Sequence, residues 1–324
     1  MQSVIERPSV VGSAPAARRP YKPAAPLGGR RSGGARRRTL IALGFLAPAL
    51  VVLGIFSAWP MIQALFTSFT DASGFGTPEW VGLENYVRVF ADPDIRSAMV
   101  NTVWYTVLFA PTAVVAALAL ALLVNRPDLP LRGFFRTALF IPFVVSLAVA
   151  AFAWSYLLDP QVGLVNYWLS TFGIRIGNVL QDPVLAMPVV ALVAVWKNFG
   201  FYFVVFLAGL QDIPASLYEA ARMDGAGPWS RLRHITVPML SNTFAFVVIF
   251  AMIAALQAFD QIYVMTGGGP YGSTETVVME IYTAGFGKLE LGFASALSYV
   301  LLIATLIISV IQFVFLGRKE EDLT

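Results

Sequence analysis

The chain has 324 residues, of which 57% are hydrophobic and 13% are charged. Soluble domains carry about 25% charged residues, so this composition excludes a soluble globular protein and indicates an integral membrane protein. The absence of cysteine and the single histidine exclude disulfides, thiolate metal sites and multi-histidine metal centres. The net charge of +3 does not indicate a nucleic-acid partner, because nine basic residues lie in the first 38 positions, where membrane proteins place cytoplasmic charge.

The first segment, residues 1–38, is rich in proline, alanine, glycine and arginine and has no apolar period. Such a segment buries too little surface to offset chain entropy, so we predict a disordered, basic cytosolic tail. Binding to anionic lipid headgroups is a compatible alternative for its arginines Arg30, Arg31 and Arg36 to Arg38. Residues 318–324 are predicted to form a second cytosolic tail.

Six apolar runs lie between the tails, in a predicted transmembrane domain at 39–317. Each run is long enough to cross a hydrocarbon core of about 30 Å. Each is predicted to be a helix, because a spanning segment must satisfy its own backbone hydrogen bonds. Prolines such as Pro142 permit kinks in several of them. The predicted spans are 39–59, 102–124, 137–157, 184–210, 240–264 and 292–316.

The basic residues orient these spans. With the N-terminus inside, seventeen of the 22 Lys and Arg residues fall in cytoplasmic segments and only four in outer loops. This asymmetry predicts six transmembrane helices with both termini in the cytoplasm. Aromatic residues near the predicted boundaries, among them Trp59, Trp104 and Tyr105, fit interfacial belts.

The sequence shows no nucleotide site of its own. Residues 267–272 have the G-x-x-x-x-G spacing of a phosphate loop, but the Lys-Ser/Thr pair that should follow is missing. The predicted topology also places this turn outside the cell. No cluster of carboxylates or histidines and no serine–histidine pair indicates an enzyme.

Ionisable residues within membrane spans are costly and often functional. Lys197 lies near the middle of the fourth span and Asp260 near the outer end of the fifth. Lys197 is either a cavity-lining contact for a polar solute or a structural partner for a carbonyl, a water or a neighbouring subunit. The candidate residues for a substrate path are Lys197, Asn198, Tyr202, Gln257 and Asp260.

Small residues recur at four-residue spacing in the second span, at Ala113, Ala117 and Ala121. Such a stripe lets two helices approach closely. Packing within the chain and packing against another subunit are both compatible with it.

A polar segment, residues 212–238, separates the fourth and fifth spans. Ser216 and Glu219 have the spacing of a capping box, and Gly225 is placed to end a short helix in the left-handed conformation. Residues 229–235 are predicted to form a second short helix. Together the two helices would present an apolar face with charged edges to the cytoplasm, although a connector lying on lipid would have similar features.

This segment matches the pattern E-A-A, three residues, G, nine residues, I-x-L-P, with Val237 in place of the leucine. The pattern resembles the signature loop, or EAA motif, of permease subunits of bacterial ABC importers. Further stretches resemble the carbohydrate-type branch, the maltose/lactose and glycerol-phosphate permease family. These stretches are Asn101 with Thr102, 195–200, 206–211 and 259–270, and the resemblance runs from about residue 40 to residue 317.

The resemblance implies a type I ABC importer permease fold in the bacterial cell membrane. It implies a transmembrane subunit that forms half of the pathway for a sugar or sugar-like solute and is not itself an enzyme. The 212–238 loop would lie in a cleft of the ATPase and act as a coupling helix, with Glu219 meeting a basic residue there. The residues implied to couple are Glu219, Ala220, Ala221, Asp224, Gly225, Ile235 and Pro238.

The implied partners are a second homologous permease, a dimer of ATP-binding subunits, an extracytoplasmic solute-binding protein and membrane lipid. No cofactor or metal is implied in this chain, since ATP and magnesium would be bound by the ATPase. The solute is left open. A permease for another solute class, such as glycerol phosphates, phosphodiesters or amino acids, is one alternative, and a channel or membrane-embedded enzyme is another.

Overall fold

The computed structural model describes residues 33–126, 128–174 and 176–317. Most of the predicted N-terminal tail (1–32) and the whole predicted C-terminal tail (318–324) lie outside these residues. The first helix begins at Gly33, so the last six residues of the predicted 1–38 tail are helical. All regular elements in the described ranges are helices, as the composition predicts.

The chain divides into two compact units, residues 1–58 and 59–324. The first contains α1 (Gly33–Leu53) and a π-helical turn (Gly54–Ala58). The first half of the second unit contains α2 (Trp59–Thr67), α3 (Glu84–Ala91), α4 (Pro93–Val124), α5 (Arg132–Val144), α6 (Leu147–Leu157), α7 (Leu164–Thr171), a 3₁₀ turn (Val179–Gln181) and α8 (Ala186–Asp212).

The second half of that unit is more broken. Its elements are α9 (Ala215–Met223), α10 (Pro228–Arg231), a π-helical turn (Leu232–Thr236), α11 (Val237–Met239), α12 (Ser241–Leu256), α13 (Asp260–Met265), α14 (Val277–Tyr282), a second π-helical turn (Thr283–Gly287) and α15 (Leu291–Gly317).

Four segments in the described part are long and apolar enough to cross a membrane as they stand. They are Ile41–Thr67, Pro93–Val124, Ala186–Asp212 and Leu291–Leu316. Two bent pairs raise the number to six if each counts as one span: α5 with α6, bent by 95°, and Pro228–Met239 with α12, bent by 70°. The protein therefore has four to six candidate spans.

Two of the predicted spans are wrong as single helices. The 137–157 span breaks at Val145 and Ser146, which are both extended, with ψ values of 141° and 138°. Pro142, three residues before the break, lacks the N–H that would bond the preceding turn and so weakens the end of α5. The 240–264 span breaks between α12 and α13, where Phe259 leaves helical geometry with φ −141°.

The core forms where α4 packs along α8. Ala113, Ala117 and Ala121 of α4 are all fully buried in the same cluster as Phe203 and Phe206 of α8. The small-residue stripe therefore serves packing within the chain, where it lets two helix backbones come close. α12 packs against α4 and α8 and contributes to the same core.

α8 approaches α5 so closely that only glycine fits at one position. A Cβ on Gly200 would lie 2.5 Å from the carbonyl oxygen of Leu139. Real Cβ atoms do not approach a backbone atom this closely, so any side chain at 200 would push the two helices apart. This contact fixes α5 against α8 just before the break that separates α5 from α6.

Candidate functional site

Most of the site residues that the sequence predicts lie in two regions of the described chain. One is the 212–238 segment between α8 and α12. The other is a cavity between the two helix breaks. Lys197 and Tyr202 lie outside both regions.

In the 212–238 segment, α9 does not begin with the predicted capping box. The helix starts at Ala215 after Pro214, and no side chain caps its first turn. Ser216 already lies inside that turn, so its hydroxyl is not at the capping position and the prediction for Ser216 and Glu219 is wrong.

The C-terminus of α9 is as predicted. Gly225 has φ +76°, in the left-handed region. The amide of Ala226 donates to the carbonyl of Ala221 at 2.8 Å, and the amide of Gly225 donates to Arg222 at 3.1 Å. These two bonds form a Schellman motif, which satisfies the last carbonyls of the helix and reverses the chain. The turn delivers the chain to Pro228, where α10 begins.

One face of this segment is anchored in the protein. Ile213 and Leu240, which flank it, are buried, and Tyr218 and Ile235 pack against the main core. The hydroxyls of Tyr218 and Thr236 lie 2.9 Å apart and share a hydrogen bond, which ties α9 to the π-helical turn that follows α10. These contacts attach one face of the segment to the rest of the described chain.

The opposite face is exposed and partly apolar. Met223 is 90% exposed and Trp229 is 72% exposed, and Leu217 adds to this surface. Glu219 and Ala220 are also exposed, whereas Ala221 and Pro238 are half-buried. Large apolar side chains beside charged ones are suited to contact a partner protein.

Glu219 makes no ion pair within the described residues, where Arg88 with Glu290 is the one salt bridge. Asp224 is exposed as well and forms the C-cap of α9. A rigid, exposed carboxylate beside uncovered apolar side chains is suited to pair with a cation on another protein.

The cavity lies where the two broken helices meet. Leu147, the first residue of α6, and the 257–261 stretch from α12 into α13 line it, together with Tyr105 and Phe109 of α4 and Asn198 of α8. Its volume is about 150 Å³. Non-helical backbone at membrane depth is tolerated only where it is buried or lines a cavity. Here the hydroxyl of Thr276 donates to the carbonyl of Ala258 at 3.0 Å and satisfies one group that the break leaves free.

Three of the five predicted substrate-path residues line this cavity: Asn198, Gln257 and Asp260. Lys197 does not. Its ammonium lies over the ring of Phe143, 4.7 Å from the centroid, and its charge interacts with Asp260. Tyr202 is only 3% exposed and packs in the core instead of the cavity wall.

The sequence predicted that Tyr105 lies in an aromatic belt at the membrane interface, but the structure buries it. It is not an interfacial residue, because α4 turns this face towards α8 and α13, and Tyr105 is only 1% exposed. The amide Nε2 of Gln261 donates to its hydroxyl at 2.7 Å. Gln261 lies two positions after Phe259, at the start of α13, and its place in the sequence carries no information on its distance to α4.

The loop before α14 is hydrogen-bonded to the N-terminal third of α4. The side-chain amide of Asn101 donates to the carbonyls of Gly272 and Glu275 at 2.8 and 3.0 Å, and the amide of Val277 donates to the hydroxyl of Thr102 at 3.0 Å. The carboxyl of Glu275 is partly desolvated there and lies beside Glu280. Both effects penalise its charged form and raise its pKa to about 7.

Comparisons with known proteins agree with this architecture. A family model described as "Binding-protein-dependent transport system inner membrane component" matches residues 110–319. The chain is 37% identical over 276 residues to the sn-glycerol-3-phosphate transport system permease protein UgpA of Yersinia pestis, covering 84% of this chain and 92% of that protein. It is 36% identical over 283 residues to the sulfoquinovosyl glycerol transport system permease protein SmoG of Agrobacterium fabrum, covering 87% and 92%.

A solved structure shares the fold. It is the crystal structure of a bacterial ABC transporter involved in the import of the acidic polysaccharide alginate, with a TM-score of 0.77 at 24% identity. The match covers 89% of this chain and 99% of that chain. The all-helical arrangement with broken spans is therefore the fold of an ABC importer permease.

Proposed function

Because the chain belongs to the family of binding-protein-dependent transport system inner membrane components, we propose that it is one of two permease subunits of an ATP-driven importer. Two of its relatives are named as permeases for sn-glycerol 3-phosphate and for sulfoquinovosyl glycerol. The proposed cargo is accordingly a sugar or a sugar-like solute, which this chain and a second, similar permease enclose between them.

The observation that carries this proposal is the exposed face of the 212–238 segment. It combines Glu219, whose carboxylate makes no ion pair with a described residue, with the exposed side chains of Met223 and Trp229 on a segment that packs against the core. A transporter subunit that has no nucleotide site must contact the subunit that hydrolyses ATP, and such a surface would make that contact. In the proposal this face docks on a dimer of ATP-binding subunits, which hold the ATP and magnesium.

Six spans and cytoplasmic termini complete the proposal. In it α5 with α6 counts as one span and α12 crosses as another, with the 212–238 segment outside the membrane. The excess of basic residues in the tails and in the loops before α5 and α12 then faces the cytoplasm of a bacterial cell. The outer loops, including the one that Asn101 ties to α4, would receive solute from an extracytoplasmic binding protein.

Movement of the 212–238 segment would reach the cavity through α12. α11 and α12 follow the segment directly in the chain, and α12 ends at the break that lines the cavity. Because α12 connects the docking face to the break, a displacement of that face would move Gln257 and Asp260 relative to Asn198. This connection supplies a physical route from ATP hydrolysis to the solute path.

Reconstitution tests the proposal. The chain is purified in complex with the proposed second permease and ATPase, inserted in proteoliposomes and supplied with the binding protein and a panel of labelled sugars and glycerol phosphates. The proposal expects accumulation that requires both ATP and the ATPase. Accumulation by this chain alone, or in the absence of ATP, would contradict it and favour a channel or a carrier.

A further inference from the structure

A groove opens between α5 and α8 and shares no lining residue with the cavity beside the helix breaks. Its volume is about 420 Å³, within the range of roughly 300–1,000 Å³ that is typical of ligand sites. Both helices contribute to its walls. The main lining residues are Arg136, Thr137 and Phe140 of α5 and Val204, Leu207 and Gln211 of α8.

The polarity of the groove changes along its length. In the proposed orientation α5 begins and α8 ends at the cytoplasmic side of the membrane. Phe140 lies one turn deeper than Arg136, about 6 Å, and Val204 lies two turns deeper than Gln211, about 10 Å, at 1.5 Å per residue. A molecule that fits the groove therefore has a polar end at the membrane surface and an apolar part in the hydrocarbon.

The cation of the groove lacks a partner. The Nε of Arg136 is buried without a hydrogen-bond partner, and Arg136 forms no ion pair with a described residue. A buried donor of this kind calls for an explanation, because leaving it unpaired costs free energy. In Arg132, one turn earlier, Nε donates to the carbonyl of Arg126 at 2.6 Å and Nη2 to that of Asn125 at 3.0 Å. Arg136 is thus the guanidinium of α5 that is left for an acceptor from outside the chain.

A phosphate group matches this guanidinium. Arginine binds phosphate oxygens through short, charge-assisted hydrogen bonds, often two in parallel. No carboxylate is among the described residues that line the groove, so none competes for Arg136 there. The first turn of α5 has no side-chain cap, and its free N–H groups add positive potential on the same side of the membrane. The polar end of the groove is therefore suited to an anion.

The apolar end favours a lipid over a soluble phosphate. Phe140, Val204 and Leu207 form this part of the wall, and Val204 is 40% exposed. An acyl chain would cover these side chains, whereas a small phosphorylated solute would leave them uncovered. The cytoplasmic leaflet also holds anionic lipids, whose phosphates lie at the depth of basic residues near the ends of the spans.

We propose that the groove between α5 and α8 binds an anionic glycerophospholipid, with its phosphate on Arg136 and one acyl chain along Phe140 and Val204. The proposal goes beyond the importer function and takes from it only the orientation of α5 and α8. Gln211 lies directly before the 212–238 segment. A lipid in the groove therefore stabilises the end of α8 from which the docking face extends.

Native mass spectrometry of the assembled transporter tests the proposal. The complex is freed of lipid in detergent and titrated with dioleoyl-phosphatidylglycerol, which is anionic, or dioleoyl-phosphatidylcholine, which has no net charge. We expect the anionic lipid to bind at least about fivefold more tightly, the effect of one arginine on an anionic lipid. Added sn-glycerol 3-phosphate, which has the phosphate but no acyl chain, should not displace it.

Substitutions locate the binding in the groove. Arg136→Gln removes the cation and should weaken binding of phosphatidylglycerol about fivefold. Arg96→Gln is its matched control, because Arg96 is an exposed arginine of α4 outside the groove. Ala208→Trp fills the groove without a change of charge and should weaken binding of the same lipid by at least as much. Val107→Trp places the same bulk on an exposed position of α4 and should bind like the wild type.

Each outcome decides the proposal. Equal affinity of the wild type for the two lipids would overturn it. So would affinities of the Arg136→Gln and Ala208→Trp variants that match those of their controls in assembled complexes. Displacement of phosphatidylglycerol by sn-glycerol 3-phosphate would assign the groove to a soluble phosphate instead. An absence of ATP-dependent uptake would refute the proposed importer function and leave the lipid site intact, because lipid binding is measured without transport.

Discussion

Replacing Glu219 with alanine separates docking from folding, because the structure assigns this side chain no role within its own chain. It is exposed and takes part in no ion pair or hydrogen bond among the described residues. The stability of the permease should therefore change by no more than about 0.5 kcal/mol, as at ordinary surface positions. If the carboxylate forms a buried charge pair on the ATPase, its loss should cost docking about 2–5 kcal/mol.

That cost corresponds to an increase in Kd of about 30-fold to 4,000-fold. The assay is the affinity of the purified ATPase for the permease pair in lipid nanodiscs, measured by biolayer interferometry, with thermal melting of the permease alongside. Asp128→Ala is the matched control, since it removes an exposed carboxylate from the other predicted cytoplasmic loop. Equal ATPase affinity of the wild type and the Glu219→Ala variant would refute the reasoning.

Three further predictions concern backbone fit and protonation. Gly225→Ala should destabilise the segment by about 1–2 kcal/mol, because φ is +76°, and Gly225→Asn should cost less; thermal melting compares them. Gly200→Ala should cost about 1–3 kcal/mol through its clash with Leu139, whereas Gly133→Ala, which meets no atom within 4 Å, should melt like the wild type. The raised pKa of Glu275 means that the folded state binds its proton more tightly than the unfolded state does. Stability should therefore fall as the pH rises from about 4.5 to about 7, and melting curves of a Glu275→Gln variant should show less of this fall.

Much of the fold follows from the apolar runs, because a segment in lipid has little choice but to be helical. The helix breaks could not be predicted in the same way. Pro142 permits a kink but does not fix a 95° bend, and the sequence around Phe259 contains neither proline nor glycine. That second break depends on Thr276, eighteen residues away, which satisfies the carbonyl of Ala258.

One part of the candidate site could be predicted from the sequence, and the other could not. The end of α9 depends only on neighbouring residues, so the glycine at position 225 predicts it from the sequence. The cavity, in contrast, assembles side chains from α4, α6, α8 and α13, which are separated by up to 156 positions between Tyr105 and Gln261. Polar residues in the spans could be named from the sequence. Asn198 and Tyr202, however, lie on the same face of α8 one turn apart, and only Asn198 lines the cavity, whereas Tyr202 packs in the core.

The absence of cysteine from this chain allows a direct test of the docking face by single-cysteine cross-linking. Met223→Cys places a thiol on the 90% exposed tip of α9, and Val162→Cys places one on a loop predicted to face outwards, at 70% exposure. In assembled transporter treated with a short thiol-to-amine cross-linker, we expect the cysteine at 223, but not the one at 162, to join to the ATPase subunit. Absence of a cross-link from position 223 in a complex that hydrolyses ATP, or a cross-link from position 162, would contradict the account.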